Sequence, residues 1–234
     1  MKPLVYLVIL EIKKLKIILR EGLDNMQLQS EIKYLKQMLI KMADQVKNNI
    51  TDAVAFYTKK TKPIIINDKI VNQYEELIDE ICFNLLIKER LFAKDLREVI
   101  AILKLVADIE RIGDHAEDIM EFSQKLETID IKNSENINKM VQIALKMIND
   151  AILSFVNEDI ELAKKTILLD DEVDHIYAMI ISDLIHFDKN TEYAIPYIIY
   201  TTLVAKYIER IADHASNIAE WVSYIIEGAV FKNN

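Results

Sequence analysis

Glycine, proline and cysteine are scarce in this chain. Its 234 residues include three glycines and three prolines, too few for the tight turns of a β-sandwich, a β-barrel or an α/β sheet. The scarcity favours a few long helices joined by short loops. The single cysteine, Cys82, has no second cysteine with which to form an internal disulfide, which predicts a reducing, cytoplasmic setting. We expect Cys82 to be a small, buried apolar side chain.

Excess positive charge and long apolar runs are lacking as well. Lysines and arginines number 29 against 38 aspartates and glutamates, giving a net charge of −9. Nucleic acid is therefore not an expected partner, because proteins neutralise its phosphates with a basic surface. Near the C-terminal end the longest uncharged run has 13 residues, whereas a membrane-spanning helix needs about 20 apolar residues. Hydrophobic residues make up 51% of the chain, so we expect a sizeable core.

Catalytic motifs are also absent from the sequence. It contains no nucleophile–base pair, no glycine-rich phosphate loop and no Cys/His cluster. A ferritin-like di-iron enzyme needs Glu-x-x-His motifs on two separate helices. Only one such motif occurs, from Glu172 to His175. We therefore expect a protein that is not an enzyme.

One eleven-residue segment occurs twice. Residues 109–119 read IERIGDHAEDI and residues 208–218 read IERIADHASNI, with eight identical positions at an offset of 99. A weaker echo relates residues 68–72 to residues 170–174 at an offset of 102. Such self-similarity indicates an internal duplication. The chain accordingly divides into three parts, an N-terminal extension (1–25), a first repeat (26–127) and a second repeat (128–230).

Each repeat has the apolar periodicity of three main helices. The predicted helices span about 28–60, 68–90 and 94–126 in the first repeat and 134–155, 170–187 and 192–227 in the second. A short extra helix is expected at 158–168, capped by Asn157. The sequence therefore predicts an all-α protein of two tandem, pseudo-symmetric three-helix bundles.

The N-terminal extension allows three interpretations. Residues 4–10 are apolar, as in a signal peptide, but charged residues follow at once without a small-residue cleavage site, so export is not expected. Residues 12–23 then place an apolar stripe on one side of a helix. This helix lies on a membrane surface as a peripheral element, or it is an extra helix packed on the bundle, or translation starts at Met26.

The repeated helix carries acidic residues on one flank. Helix positions i and i+4 lie about 5–6 Å apart, and like charges there cost a few tenths of a kcal/mol per pair. A bound cation removes this repulsion and is itself held by the carboxylates, because hard cations take several carboxylate oxygens. The candidate metal ligands on this helix are Glu110, Asp114 and Asp118 in the first repeat and Glu209, Asp213 and Asn217 in the second.

The second helix of each repeat offers matching oxygen ligands. They are Asp68 and Asn72, followed on the same side by Glu75 and Asp79, in the first repeat and Asp170 and Asp174 in the second. If the second and third helices pack side by side, two acidic rows face each other and form one multinuclear site per repeat. A solvated acidic face without metal is the alternative. We expect a divalent or trivalent ion, namely Mg, Mn, Fe or, less suited to oxygen ligands, Zn.

For the histidines and arginines of the repeated helix, we predict roles other than metal binding. His115 and His214 each follow an acid and point about 100° away from it. We expect a core or surface hydrogen-bonding role for both histidines rather than metal binding. Arg111 and Arg210 are expected to form salt bridges between helices.

The doubled segment resembles the signature of the PhoU family. The resemblance is carried by LVADIERIGDHA at 105–116, by IERIADHA at 208–215 and by NIAEWV at 217–222. Residues 94–97, KDLR, resemble the opening of the third helix of the family's first repeat. The acidic openings of the second helices also fit, and the similarity extends over about residues 26–230.

This resemblance implies two symmetric three-helix bundles that form a cytoplasmic homodimer. It implies a negative regulator of phosphate uptake and phosphate-starvation signalling, which contacts the ATPase subunit of an ABC phosphate transporter and a sensor histidine kinase. It also implies metal clusters on (Glu/Asp)-x-x-x-Asp motifs, which match Glu110/Asp114, Asp170/Asp174 and Glu209/Asp213. The fourth motif departs from the pattern, with Asn72 after Asp68. A metal-buffering protein and a partner module of a sodium–phosphate cotransporter are the alternatives.

Overall fold

A computed structural model of the chain is helical throughout the part it describes. This part comprises the backbone of residues 2–58, 62, 66, 68–88, 91–129 and 134–227, with the side chains of residues 2–25, 68, 88 and 134 left out. Within it lie seven α-helices and no strand. In chain order the helices are α1 (Lys2–Tyr57), α2 (Asp68–Lys88), α3 (Ala93–Gln124), α4 (Ser134–Asn157), α5 (Ile160–Leu168), α6 (Asp170–Ile185) and α7 (Ala194–Glu227).

The predicted all-α, tandem architecture is confirmed. Helices α1 to α3 belong to the first repeat, and helices α4 to α7 belong to the second, with α5 as its short extra helix. Helix ends agree with the predictions to within a few residues, except at the start of α1. The chain forms two compact units, Met1–Gln37 and Met38–Asn234. The division of the sequence at residues 25 and 127 stays a prediction.

The N-terminal extension is not a separate helix. The backbone is helical without interruption from Lys2 to Tyr57, so the expectation of an additional helix before residue 26 is wrong. The apolar stripe predicted at residues 12–23 lies among the side chains that the structure does not describe. No helix among the described residues is both long and apolar enough to cross a membrane.

Helices α3 and α7 join the two repeats within the unit Met38–Asn234. These third helices pack along each other, while α2 packs on α3, and α4, α5 and α6 pack on α7. The apolar face of the duplicated segment is fully buried, with Ile109 and Ile112 on α3 and Ile208 and Ile211 on α7. Cys82 is also fully buried, as predicted, and burial raises the pKa of its thiol to about 12.

The C-terminal half of α1 contacts the second repeat through polar groups. The buried Tyr57 hydroxyl donates a hydrogen bond to Thr201 Oγ1 on α7 at 3.1 Å. Lys47 Nζ donates to Asn149 Oδ1 on α4 at 3.2 Å. These contacts hold the end of the first helix of one repeat against the helices of the other.

The cap of α5 differs from the predicted one. Asp159 has an extended backbone, and its Oδ1 accepts a hydrogen bond from the Leu162 N–H at 3.0 Å. Asn157 is instead the last residue of α4. Aspartate and asparagine are both good N-caps, and the turn at Glu158, whose φ is 53°, places the cap two residues later than expected.

Candidate acidic metal sites

Helices α6 and α7 bring three of the predicted ligands into one cleft. The two helices are joined by a short connection, so they run antiparallel as neighbours. Positions 213, 217 and 220 recur at helical spacing and therefore share one face of α7. The cleft has a volume of about 360 Å³ and is lined by Ile167, Asp170, Asp213, Ser216, Asn217 and Glu220.

The cleft is a crowded, partly desolvated group of carboxylates. Burial, reinforced by the charges of Asp213, Asp174 and Glu209, raises the pKa of Asp170 to about 7. The buried Oδ1 atom of Asp170 has no hydrogen-bond partner. The pKa of Asp213 is raised too, first by burial and then by Glu209. The cleft therefore favours whatever supplies positive charge, either a proton or a cation.

Lys206 is a cation beside the cleft that the sequence reasoning did not single out. Its Nζ donates a hydrogen bond to Glu209 Oε1 at 2.6 Å. It also counteracts the rise in the pKa of Asp174, which comes first from burial and then from Glu209. The position equivalent to Lys206 at the offset of 99 is Ala107. Comparing the two repeats position by position provides the signal that could have identified this lysine.

The first repeat has its own acidic group between α2 and α3. The pKa of Glu75 is raised by burial and by Asp79, and the charges of Arg111 and Asp114 also act on it, which places the acidic sides of α2 and α3 together. Asn72 is exposed. Asp68 is the first residue of α2, and its side chain lies outside the described residues.

Arg111 lies within this acidic group rather than bridging helices. Its Nη1 is 2.9 Å from Asp114 Oδ2 and its Nε is 3.4 Å from Glu110 Oε2, all on α3. The expectation of an ion pair between helices is therefore wrong for Arg111. The equivalent Arg210 instead lies 5.5 Å from the centroid of the Tyr207 ring. Arg111 thus pairs with two of the predicted ligands of the first repeat, whereas Lys206 pairs with one, Glu209, in the second. The first repeat is therefore the weaker candidate for a cation.

Asp118 lies toward the junction of α3 and α7. Its Oδ2 is 3.6 Å from His115 Nδ1. Burial raises the pKa of Asp118, with Asp114 and Glu121 adding to the rise and Arg210 opposing it. Asp118 is therefore placed between the acidic group of the first repeat and the histidines at the junction.

The two equivalent histidines meet between α3 and α7. Their ring centroids are 5.5 Å apart. His214 Nδ1 lies 2.8 Å from Asp108 Oδ1, whereas His115 packs edge-on against Tyr207 at 5.1 Å. Asp108 and Tyr207 are themselves equivalent at the offset of 99. The two contacts are therefore related by the pseudo-symmetry of the repeats. One is a contact with a carboxylate and the other is a contact with an aromatic ring.

The predicted hydrogen bond is confirmed for His214, which pairs with Asp108. His115 lies in the core and forms no hydrogen bond, so this part of the prediction is wrong for His115. His115 is buried, and neither of its ring nitrogens has a hydrogen-bond partner. Burial, followed by the charges of Arg210 and His214, lowers the pKa of His115 to about 4. His115 is therefore neutral at physiological pH and packs as an aromatic ring.

The donor chemistry of the α6–α7 cleft fits a hard cation. Carboxylate and amide oxygens line it, and a buried Asp170 oxygen lacks a partner, as expected for ions that prefer oxygen ligands. Among the described residues, no three or more His, Cys, Asp or Glu side chains are already arranged to hold an ion. Binding there requires rotation of these side chains, and the ten predicted ligands stay a prediction.

The raised pKa of Asp170 predicts a pH-dependent stability. Between about pH 4 and pH 7 the folded state holds a proton that the unfolded state has released, so stability falls as pH rises through this window. In metal-free protein, Asp170→Asn removes the contribution of Asp170 to this fall, while Asp174 and Asp213, whose pKa values are also raised, still contribute. We expect the variant to be more stable than the wild type by about 1–2 kcal/mol at pH 8, after allowance for solvent screening, and equally stable near pH 4.

Urea unfolding in the presence of a chelator, repeated across this pH range, measures the effect. The exposed neighbour Asp171 provides the matched control, because Asp171→Asn removes one carboxylate outside the cleft and should change the profile less. Superimposable pH profiles for the wild type and Asp170→Asn would contradict a raised pKa at Asp170.

The fold and the duplicated acidic sites define a class of protein, the all-α proteins built from two tandem three-helix bundles that carry acidic helix faces. The model of the PhoU domain family matches residues 39–123 and 137–222. The chain therefore belongs to the PhoU family, as the doubled signature predicted.

Named relatives and a solved structure agree with this assignment. The phosphate-specific transport system accessory protein PhoU homolog of Aquifex aeolicus is 35% identical over 213 residues, covering 89% of this chain and 96% of the relative. The corresponding protein of Escherichia coli K12 is 29% identical, with 88% of each chain covered. The crystal structure of PhoU from Pseudomonas aeruginosa superposes with a TM-score of 0.78 at 28% identity, over 86% of this chain and 99% of that one. The family is not one of enzymes.

Proposed function

We propose that this protein is a negative regulator of phosphate uptake and of phosphate-starvation signalling. It acts in the cytoplasm as a homodimer that contacts the ATPase subunit of an ABC phosphate transporter and a sensor histidine kinase. The observation that carries the proposal is the doubled PhoU match over residues 39–123 and 137–222. Relatives named as accessory proteins of the phosphate-specific transport system cover most of the chain and support it further.

The proposed mechanism is non-catalytic and uses the acidic faces as cation sites. Asp170, Asp213 and Asn217 would hold a divalent or trivalent ion in the α6–α7 cleft, with Asp174 and Glu209 beside them. A bound ion supplies positive charge and open coordination positions to an otherwise acidic surface. The protein's own part is to crowd the carboxylates, as the pKa of Asp170 near 7 indicates, and to present the loaded face to its partners.

The first repeat would bind a cation more weakly. Its ligands would be Glu110, Asp114 and Asp118 on α3 with Asp68 and Asn72 on α2. The Arg111 guanidinium already pairs with Glu110 and Asp114, and Asn72 contributes a neutral oxygen where the family motif has a carboxylate. An ion at this site must compete with a fixed positive charge, which lowers its affinity.

Deletion of the gene in the organism that encodes this chain tests the regulatory function. Cells grown in excess phosphate are expected to express a phosphate-starvation reporter, such as alkaline phosphatase, that the parent strain keeps silent. Re-expression of the wild-type chain should silence the reporter again. A deletion strain whose reporter stays silent in excess phosphate would count against negative regulation and leave metal buffering or a cotransporter partner as the role to examine.

A further inference from the structure

The two repeats expose large apolar side chains at equivalent positions. The equivalent pairs are Phe83/Ile185, Leu96/Ile195 and Ile100/Ile199, at the offsets of 102 and 99 that relate the repeats. All six side chains are between 37% and 69% exposed. A single exposed leucine is ordinary on a protein surface. The same exposure at matched positions of both bundles indicates a surface that each bundle presents to a partner.

The exposed residues of each repeat lie at the same end of its bundle, in the last turns of its second helix, in the connection and in the first turns of its third helix. We define the first apolar patch as Phe83, Ile87, Phe92, Leu96 and Ile100, and the second apolar patch as Ile185, Ile195 and Ile199. Ile87 and Phe92 are the most exposed members, at 82% and 77%. Each patch lies where two antiparallel helices meet at their connection, α2 with α3 and α6 with α7.

Each apolar patch shares a helix face with an acidic group. At 100° per residue, Leu96 and Asp114 fall on one line along α3, and Ile195 and Asp213 fall on one line along α7. Leu96 and Asp114 are separated by about 27 Å along the helix axis at 1.5 Å per residue. The outer face of each bundle is therefore apolar at one end and acidic at the other.

The negative charge of this face limits which partners can bind to it. A second copy of the chain docked through these patches would bring acidic groups close to acidic groups, and each copy carries a net charge of −9. Like charges brought together across an interface oppose such a contact. An anionic membrane surface meets the same repulsion. While the acidic groups hold no cation, the complementary occupant is apolar where the patch is apolar and basic where the bundle is acidic.

We propose that each repeat docks one amphipathic partner helix that is apolar in one half and basic in the other. A groove between two antiparallel helices accepts the ridge of a third helix. A helix of about 18 residues spans the distance from the patch to the acidic group. Because the patches are duplicated, one chain takes two such helices, which suits a partner that offers the same helix twice. The proposal deepens the proposed accessory function by naming the chemistry of the partner.

A synthetic peptide tests the proposal on the full chain. The probe is a helical peptide of about 18 residues with a leucine stripe in one half and lysines in the other. Titration calorimetry is expected to give two peptides per wild-type chain. Leu96→Gln/Ile100→Gln and Ile195→Gln/Ile199→Gln should each weaken one of the two sites by about tenfold or more. The variant with all four substitutions should lose both sites.

Control variants distinguish docking at the apolar patches from non-specific hydrophobic binding and from misfolding. All four substituted side chains are exposed, so circular dichroism and urea unfolding should match the wild type. Leu153→Gln/Leu168→Gln alters two other exposed apolar side chains and should leave the binding of two peptides intact. A peptide with glutamates in place of the lysines should not bind.

Three results would overturn the proposal. The first is equal binding of a scrambled peptide with the same composition. The second is a wild-type dimer that the four substitutions dissociate, which would assign the patches to a second copy. The third is binding to anionic phospholipid vesicles that the same substitutions abolish. The peptide titration does not depend on phosphate signalling, so the deletion strain decides the proposed function and the titration decides the docking of helices.

Discussion

Replacing Asp213 with asparagine is expected to weaken the binding of Mn²⁺ by about a hundredfold, since loss of even a supporting outer-shell group costs about 10–100-fold in metal affinity. Asp213 shares the α6–α7 cleft with Asp170 and Asn217, and its carboxylate is one of the charges that raise the pKa of Asp170. The substitution keeps the size of the side chain and removes one negative charge. Calorimetric titration of metal-stripped protein at constant pH measures the loss.

The first repeat supplies an internal comparison. Asp114→Asn, at the equivalent position, should change Mn²⁺ binding less than Asp213→Asn, because Arg111 already pairs with Asp114. Glu161→Gln, an exposed acid on α5, should leave the affinity unchanged. Equal affinities of the wild type and Asp213→Asn would contradict a site in the cleft.

Binding to the same site should also release protons. With a pKa near 7, the Asp170 carboxyl is partly protonated at neutral pH, and a carboxyl must lose its proton to coordinate a cation. The apparent affinity for Mn²⁺ is therefore expected to rise between about pH 6 and pH 8 in the wild type, and less so in Asp170→Asn. Titrations in buffers of different ionisation enthalpy measure the protons released.

The helices could be predicted from sequence because their determinants are local. Apolar residues at helical spacing, such as Ile109 and Ile112, indicate the buried face, and the duplication indicates that the pattern is repeated as a unit. The predicted boundary at residue 25 comes from the internal duplication and not from a helix stop. Between Leu4 and Tyr57 the chain has no proline, and its one interior glycine, Gly22, costs only about 1 kcal/mol in a helix. Helix α1 therefore continues through the predicted boundary.

For the candidate site, the sequence could predict only which helix faces carry the acidic residues. Spacing places Asp213 and Asn217 on one side of α7, and the short connection brings α6 alongside. Spacing cannot predict which partner an arginine chooses, because that depends on side chains from other parts of the chain. Arg111 pairs with the acids of its own helix, while the equivalent Arg210 lies over Tyr207. The burial that raises the pKa of Asp170 also depends on tertiary packing. It therefore cannot be predicted from the repeated sequence.

Replacing Ile208 with alanine is expected to destabilise residues 38–234 as one unit. Ile208 is fully buried on α7, and removing a buried isoleucine to alanine costs about 2–5 kcal/mol through lost burial and the remaining cavity. Because α3 and α7 pack along each other, the loss should lower a single cooperative transition shared by both repeats. Urea unfolding measured by far-ultraviolet circular dichroism and by the fluorescence of the single tryptophan, Trp221, tests this.

The equivalent substitution in the other repeat makes the test decisive. Ile109→Ala, on α3, is expected to shift the fluorescence transition of Trp221 as far as it shifts the circular dichroism, although Trp221 lies on α7. Ile195→Ala removes an exposed side chain of α7 and should change stability by less than about 0.5 kcal/mol. If Ile109→Ala left the Trp221 transition in place and produced a second, earlier transition by circular dichroism, the repeats would be independent units. Coincident shifts would mean that the α3–α7 junction, with its paired histidines, couples the two bundles, so that a ligand stabilising one acidic cleft also stabilises the other repeat.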